Sequence, residues 1–316
     1  MKSCIICDKM KKLKVAIVIT TYNQRELLFK CLDSLKNETK YPDYRVYFVD
    51  DSGKGEIGAE IKKKYSWVDV SINKINTGFS KANNTGMRAA IKEYDPDYLL
   101  LLNDDTETIQ PDWLKKFVNA GEKDKKIGIL GGKIVYPDKS LQNIGGYIKK
   151  WEIAKELKDR KDTFEVDHVM GAFLLIKKSV IEKIGLLDEV YSPYLLEDTD
   201  YCLRAKRAGF KVVSVGSVVI VHKKGKSIDS LKSKRSTLVR FKNDFIFSFR
   251  NLKFPYNFIR AFAYLPMVAV FKKRTDEDSP EIKNLILRED FIVNILLYII
   301  SPLYAIKDII FLKKIR

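Results

Sequence analysis

Histidine is nearly absent from this chain: 316 residues contain only two, His168 and His222. Cysteine is scarce too, with four residues: Cys4, Cys7, Cys31 and Cys202. Cys4 and Cys7 form one CxxC, and no second pair completes a four-sulfur zinc site. The four are therefore read as free thiols in a reducing compartment. The N-terminus lacks an apolar stretch long enough for a signal peptide, so the expected setting is the cytoplasm. Acidic residues are in deficit, 41 Asp and Glu against 58 Lys and Arg, which leaves a formal charge of +17. From Lys223 onward 20 basic residues face 9 acidic ones, so +11 of that excess lies in the last third. A basic tail of this kind needs a polyanion: nucleic acid, acidic lipid or a phosphorylated substrate. The hydrophobic fraction of 46% is ample for a core and excludes a disordered chain.

The most informative stretch is Tyr98 to Thr106, YLLLLNDDT. Four leucines in a row read as a strand buried on both faces, as in a parallel sheet. Asn103, Asp104 and Asp105 then leave its end together, where open α/β sheets bind ligands. Adjacent carboxylates repel unless a cation lies beside them, and Mg²⁺ or Mn²⁺ suits such oxygen ligands. The other reading is a polar turn in which Asp105 or Thr106 caps a helix.

In order, Val15 to Thr20 is a β-branched first strand. Asn23 with Glu26 reads as a capping box for a helix reaching about Leu35. A strand over Tyr44–Val49 ends in Asp50-Asp51, the same strand-then-acid pattern as at Asp104. A helix over Glu56–Tyr65, a strand over Val68–Ile72 and a helix carrying Asn83 precede the leucine strand. Pro111 suits the first position of the next helix. Gly131-Gly132 and Gly145-Gly146 read as turns, Val169 to Ile176 as a strand interrupted by Gly171, and Lys178 to Ile184 as a helix. Glu197, Asp198 and Asp200 enter a helix that ends at Gly209. Two strands, Val212–Val215 and Val218–Val221, lead to His222. This alternation predicts an α/β domain with a mostly parallel sheet.

Six stretches, IVITTYNQRELLFKCLDSL, VYFVDDS, NTGFSKANNTGM, LLLLNDDTE, VMGAFLLIKKSVIEKIGLLDE and LLEDTDYCLRAKRAGFKVVSVGSVVIVH, occur in this order over about residues 14 to 222. Together they resemble the inverting family-2 glycosyltransferases of the GT-A fold, particularly the rhamnosyltransferase-like members. The resemblance implies a Rossmann-like GT-A domain over residues 14–226. It leaves residues 1–13 as an extension and 227–316 as a basic, aromatic, helical and membrane-associating appendage.

The resemblance also implies roles. NDDT is similar to the family's DXD motif, so Asp105 is expected to bind Mn²⁺ or Mg²⁺, and Asp104 ribose, donor sugar or a metal-bound water. His222 stands where the family often completes the metal site; His168 matches nothing and is read as structural. EDTD is similar to the ED motif, which makes Asp198 the expected base, with Glu197 and Asp200 as acceptor-orienting or helix-capping groups. Thr20, Thr21 and Tyr22, Asp50, and the loop with Asn76, Gly78 and Asn83 are expected at the nucleotide. Arg204 is expected either to hold the acidic segment or to touch phosphate. The implied partners are a UDP- or dTDP-sugar and a hydroxyl acceptor such as a polyprenyl-linked glycan, with no nucleic acid.

In the tail, Arg240 to Phe271 interleaves aromatic and basic residues. Phe291 to Leu312 is apolar but carries Asn294, Pro302, Lys307 and Asp308. Charges oppose a clean bilayer span, so a helix lying on an acidic membrane surface, at the inner face of the cell membrane, is expected. A helical subdomain packed on the catalytic core is the other reading. Three functional alternatives stand beside the transferase, the first, suggested by charge alone, being a nucleic-acid binder using the basic, aromatic tail. A nucleotidyltransferase normally carries a glycine-rich basic loop where TTYNQRE stands here, and a non-catalytic nucleotide-sugar-binding protein has no need of Asp105, Asp198 and His222 together.

Overall fold

The computed structural model describes residues 13–156, 158–223, 233–273, 285–287 and 290–315. The Cys4–Cys7 pair and the expected domain boundary at 226 lie outside these residues.

The first half alternates as β1 (Val15–Thr21), α1 (Arg25–Glu38), β2 (Tyr44–Asp50), α2 (Glu56–Lys64), β3 (Val68–Ile72), α3 (Phe79–Tyr94) and β4 (Tyr98–Asn103). These four strands pair in parallel in the order β3-β2-β1-β4. Their apolar runs need cover on both faces, and they have it. Ile17, Ile19, Leu100 and Leu102 pack with Leu28 and Leu32 of α1, whereas Ala16, Val18, Leu99 and Leu101 pack with Met87 and Ala90 of α3. Each fully buried Val, Leu, Ile or Met among them contributes about 1.5–3 kcal/mol.

The second half adds β5 (Thr106–Thr108), α4 (Trp113–Glu122), β6 (Ile127–Val135), β7 (Leu141–Asn143), β8 (Gly146–Lys149), β9 (Glu152–Lys155), β10 (Thr163–Glu165), β11 (Phe173–Lys177), α5 (Lys178–Ile184), α6 (Glu197–Arg207) and β12 (Lys211–His222). The full sheet runs β10-β12-β6-β11-β4-β1-β2-β3. β11 is antiparallel to both β4 and β6, while β12 runs parallel to β6. β5 pairs antiparallel with the end of β12. The result is a mostly parallel α/β sheet flanked by helices, as expected.

Local expectations need five corrections. Gly131 and Gly132 do not turn the chain; they lie inside β6, where a Cβ on Gly132 would stand 2.2 Å from the Phe173 ring. They are glycines so that Val169 and Phe173 can lie against the strand. The strand after Gly171 starts only at Phe173. The two strands over 212–221 are one, β12, with a register shift between Val215 and Val219. No capping box forms at Asn23, because α1 is entered from Gln24 without a side-chain cap. Pro111 precedes α4 rather than opening it, the N-cap being Asp112.

The appendage comprises α7 (Lys234–Asn251), α8 (Tyr256–Ile259), a π-helical turn (Arg260–Tyr264), α9 (Leu265–Val270), a two-stranded ribbon of β13 (Phe271–Lys273) and β14 (Leu285–Leu287), and α10 (Phe291–Ile315). α10 packs on α7 through Tyr298 against Phe241, and Tyr298 donates to the Ala261 carbonyl at 2.8 Å. Its amphipathicity is inverted. Asn294 and Ser301 are buried, while Ile292, Leu296, Ile299, Leu303, Ile306 and Ile310, spaced by alternating fours and threes, are exposed. Phe249, Phe254, Phe258 and Phe262 add a row of exposed rings in mutual contact. Among the described residues, one helix, Phe291–Ile310, is long and apolar enough to cross a membrane.

Candidate active site

Strand pairing brings the acidic clusters to one rim. β4 ends at Asn103, and Asp104 and Asp105 follow before β5. β5 pairs with the last residues of β12, Thr106 opposite His222. This pairing puts His222 Nε2 2.9 Å from Asp105 Oδ1. On its other side His222 Nδ1 lies 2.6 Å from Gln142 Oε1. An imidazole nitrogen and a carboxylate oxygen side by side at a strand end are atom types that ligate a divalent cation.

Asp104 is buried and accepts a hydrogen bond from Thr21 Oγ1 at the end of β1. Burial, and then the neighbouring Asp105, push its carboxyl up to about 8. The site therefore carries more negative charge than its own surroundings accommodate. Among the described residues no three His, Cys, Asp or Glu side chains converge as a ready-made metal cage. An Mg²⁺-type ion takes one or two carboxylates and fills its shell with water and substrate phosphates. Asp105, His222 and the adjoining Asp104 fit that pattern.

The second cluster reaches the same rim through β11. Phe173 pairs with Leu102, and Asn103 N donates to Ala172 O at 3.1 Å. Asn103 directly precedes Asp104 and Ala172 directly follows Gly171, so the two segments leave the β4–β11 pairing side by side. Gly171 N in turn donates to Asp198 Oδ2 at 2.8 Å, while Asp198 Oδ1 accepts from Thr199 N at 2.6 Å. Asp198 is thereby oriented with lone-pair capacity remaining on Oδ2. Glu197 is buried, its Oε2 has no hydrogen-bond partner among the described residues, and burial with Asp198 beside it raises its carboxyl well above the ordinary value. Asp200 is structural: it accepts from Tyr191 Oη, Asn251 Nδ2 and Arg204 Nε. Arg204 also donates to the carbonyls of Ile184 and Leu186, so its guanidinium holds this segment.

At the nucleotide end, Thr20 and Thr21 close β1 and Tyr22 is 59% exposed beyond it. Asp50 is buried, and its two oxygens accept from Ser52 N and Gly58 N, which turns the chain into α2. It serves the loop and has no exposed oxygen for a base. Its neighbour Asp51 accepts from Asn73 Nδ2, Thr77 and Gly78 N, and so fixes the loop carrying Asn76. Gly78 has a φ of 84°, and a Cβ there would stand 2.5 Å from Pro193 Cα. Its close approach is to the acid-bearing loop. Asn83 is buried and donates to Phe79 O within α3. A cavity of about 250 Å³ opens between Asn76, Thr77 and Lys81 on one side and Ser192 and Pro193 on the other, with Arg235 of the tail on its wall.

Three features escaped the sequence reading. Gln142 sits in a short strand with no motif around it. Asn243 and Lys242 lie in the tail, among interleaved aromatic and basic residues that give them no motif. His168, read as structural, is buried, and burial holds its imidazole below the ordinary value against the opposing pull of the Asp198 carboxylate.

This fold, a mostly parallel sheet flanked by helices with acids gathered at its strand ends, is of the GT-A type. Residues 16–185 match the family described as Glycosyl transferase family 2, and the chain belongs to that family. It is 25% identical over 227 residues to the O-antigen biosynthesis protein RfbC of Myxococcus xanthus, which covers 66% of this chain but only 17% of RfbC. It is 23% identical over 217 residues to the O-antigen chain rhamnosyltransferase RfbN of Salmonella typhimurium, covering 66% of each chain. Among solved structures it resembles the mannosyltransferase PcManGT of Pyrobaculum calidifontis, in complex with GDP-Man and Mn²⁺. The TM-score is 0.56 at 16% identity, over 80% of this chain and 71% of that one, a likeness of fold.

Proposed function

We propose that this chain transfers a sugar from a UDP- or dTDP-sugar to a hydroxyl of a growing glycan, with inversion at the anomeric carbon. What supports the reading is the convergence of Asp105 and His222 with Asp198 on one rim through two strand pairings.

Asp105 and His222 are the residues that hold Mn²⁺ or Mg²⁺ in this reading, with Gln142 fixing the His222 ring. The ion supplies charge neutralisation for a diphosphate leaving group. Asp104 binds the donor's ribose or sugar. Thr20, Thr21, Tyr22 and Asn76 line the nucleotide, Tyr22 offering its exposed ring to the base. Asp50, Gly78 and Asn83 act by shaping the loops. Asp198 accepts the acceptor's proton as the hydroxyl oxygen bonds to the anomeric carbon and the carbon–oxygen bond to the diphosphate breaks. Glu197 orients the acceptor beside it.

The acceptor class is a lipid-linked glycan or cell-surface polysaccharide, in line with the printed roles of RfbC and RfbN. The exposed apolar seam of α10, the phenylalanine row and the basic tail together suit an acidic membrane surface at the cytoplasmic face. The inverted helix answers the objection from its polar residues: Asn294 and Ser301 turn inward, and Asp308 pairs with Lys242. The deciding experiment is a donor panel. Hydrolysis of UDP- and dTDP-sugars is measured with Mn²⁺ or Mg²⁺, wild type against Asp105→Ala. No turnover with any donor, or equal turnover in the variant, rejects the reading.

A further inference from the structure

The loop that delivers Glu197 and Asp198 is held in an uncommon shape. Leu195 and Leu196, immediately before the acid pair, have φ of 81° and 74°. Two successive bulky L-residues in the left-handed region persist only where their surroundings hold them there. The groups that hold them come from the tail. Asn243 of α7 is fully buried, and its Nδ2 donates to the carbonyls of Tyr191 at 2.7 Å, Tyr194 at 2.7 Å and Leu195 at 3.1 Å. Lys242, one residue earlier, donates to the carbonyls of Val190 at 3.2 Å and Ser192 at 2.9 Å. The same ammonium reaches Asp308 Oδ2 of α10 at 2.7 Å. Where the loop ends, Asn251 donates to Asp200 Oδ1 at 2.8 Å. The loop's other side rests on the nucleotide-end loop, where Phe79 N donates to Pro193 O at 2.6 Å.

We infer that Asn243, supported by Lys242, is a positioning residue for Asp198, so that the first tail helix completes the catalytic unit. The inference rests on the reading of Asp198 as the base. The physics is direct. Buried carbonyls without a donor are costly, and five carbonyls between Val190 and Leu195, those of Val190 and Tyr191 buried and the other three part-buried, take theirs from these two adjacent side chains. Without them the loop relaxes, Leu195 and Leu196 leave the left-handed region, and the start of α6 moves with them. Through Lys242 and Asp308 the apolar helix α10 is tied to the same loop.

The test uses the full chain with Asn243→Ala and Asn243→Asp. The second substitution keeps the shape but turns an acceptor toward the three carbonyls. Three quantities are measured: hydrolysis of the UDP- and dTDP-sugar panel with Mn²⁺, calorimetric affinity for UDP with Mn²⁺, and amide exchange over residues 190–200. A displacement of the order of 1 Å lowers turnover about a hundredfold, so kcat is expected to fall by that factor in both variants. Donor KM and UDP affinity stay within about twofold, the signature of an interaction felt in the transition state. Exchange quickens over 190–200 but not in β1–β4. Wild-type kcat in either variant, or unchanged exchange over that segment, overturns the inference. So does a parallel loss of UDP affinity and of β1–β4 protection, which marks general unfolding. If the wild type hydrolyses no donor, the transferase reading fails on its own account and the exchange data alone decide the positioning role.

Discussion

His222 Nε2 stands 2.9 Å from Asp105 Oδ1 because β12, the last strand of the sheet, runs antiparallel onto β5, the three residues after Asp105. Gln142 holds the far side of the ring at 2.6 Å. A ligand histidine fixed by such an outer partner loses about 10- to 100-fold in metal affinity when the partner is removed. Gln142→Ala is therefore expected to raise by that factor the Mn²⁺ concentration giving half-maximal donor hydrolysis, and His222→Ala to raise it further. Unshifted Mn²⁺ curves in both variants would remove His222 from the metal site.

Asp198 makes a sharper demand. Its carboxylate is oriented by Gly171 N and Thr199 N. A general base contributes about 10²–10⁴-fold, so Asp198→Asn is expected to lower transfer by that range while nucleotide affinity holds within a few-fold. Turnover is followed by release of UDP or dTDP, and affinity by calorimetry. Full activity in the amide variant assigns the proton to another group.

Glu197 gives a pH signature. Its carboxyl is held well above the ordinary 4.5 by burial and by Asp198. A carboxyl that binds its proton more tightly in the folded state adds stability that is complete below the unfolded pKa and is lost as pH rises through the folded one. Glu197→Gln removes that titration. Melting temperatures of the two proteins should diverge in favour of the variant as pH rises above the ordinary carboxyl value of 4.5, with the slope belonging to the wild type. A difference that does not change with pH contradicts it.

Gly132 tests the packing. A methyl group placed there meets the Phe173 ring at 2.2 Å and the Val218 carbonyl at 2.9 Å. Overpacking of this kind costs about 1–3 kcal/mol. Gly132→Ala should lower the urea midpoint accordingly, and an unchanged midpoint means that β6 and β11 are not packed as described.

For the membrane surface, flotation with acidic vesicles is the direct measurement. The full chain is expected to float, and Phe254→Glu combined with Phe258→Glu to reduce flotation, since both rings are exposed. Binding is expected to weaken with salt, because part of the attraction is electrostatic. No flotation of the wild type at low or moderate salt contradicts the proposal.

Much of the fold could be read from the residues because parallel strands are spelled as unbroken apolar runs. Val15–Thr21, Tyr44–Asp50 and Tyr98–Asn103 announce themselves in that way. Strands that carry glycine do not. Gly131-Gly132 looks like a turn until Val169 and Phe173 are known to cross it, and that contact is long-range. The acids were legible as strand-end clusters, but not the division of labour inside each pair. Asp50 and Asp51 differ only in which side of the strand end they face, so one builds the turn into α2 and the other ties down the next loop. Gln142 and Asn243 had no local signal, since their partners lie in distant segments.

The inverted polarity of α10 bears on how this protein is best handled in the laboratory. Deleting Phe291 onward to improve solubility would strip away the isoleucine seam and take Asp308 with it. The Lys242 ammonium would then lose its carboxylate partner and keep only the Val190 and Ser192 carbonyls. A shortened protein is accordingly expected to be easier to purify yet looser around Ser192 and Tyr194. Mild detergent with the intact chain is the better route to an active preparation.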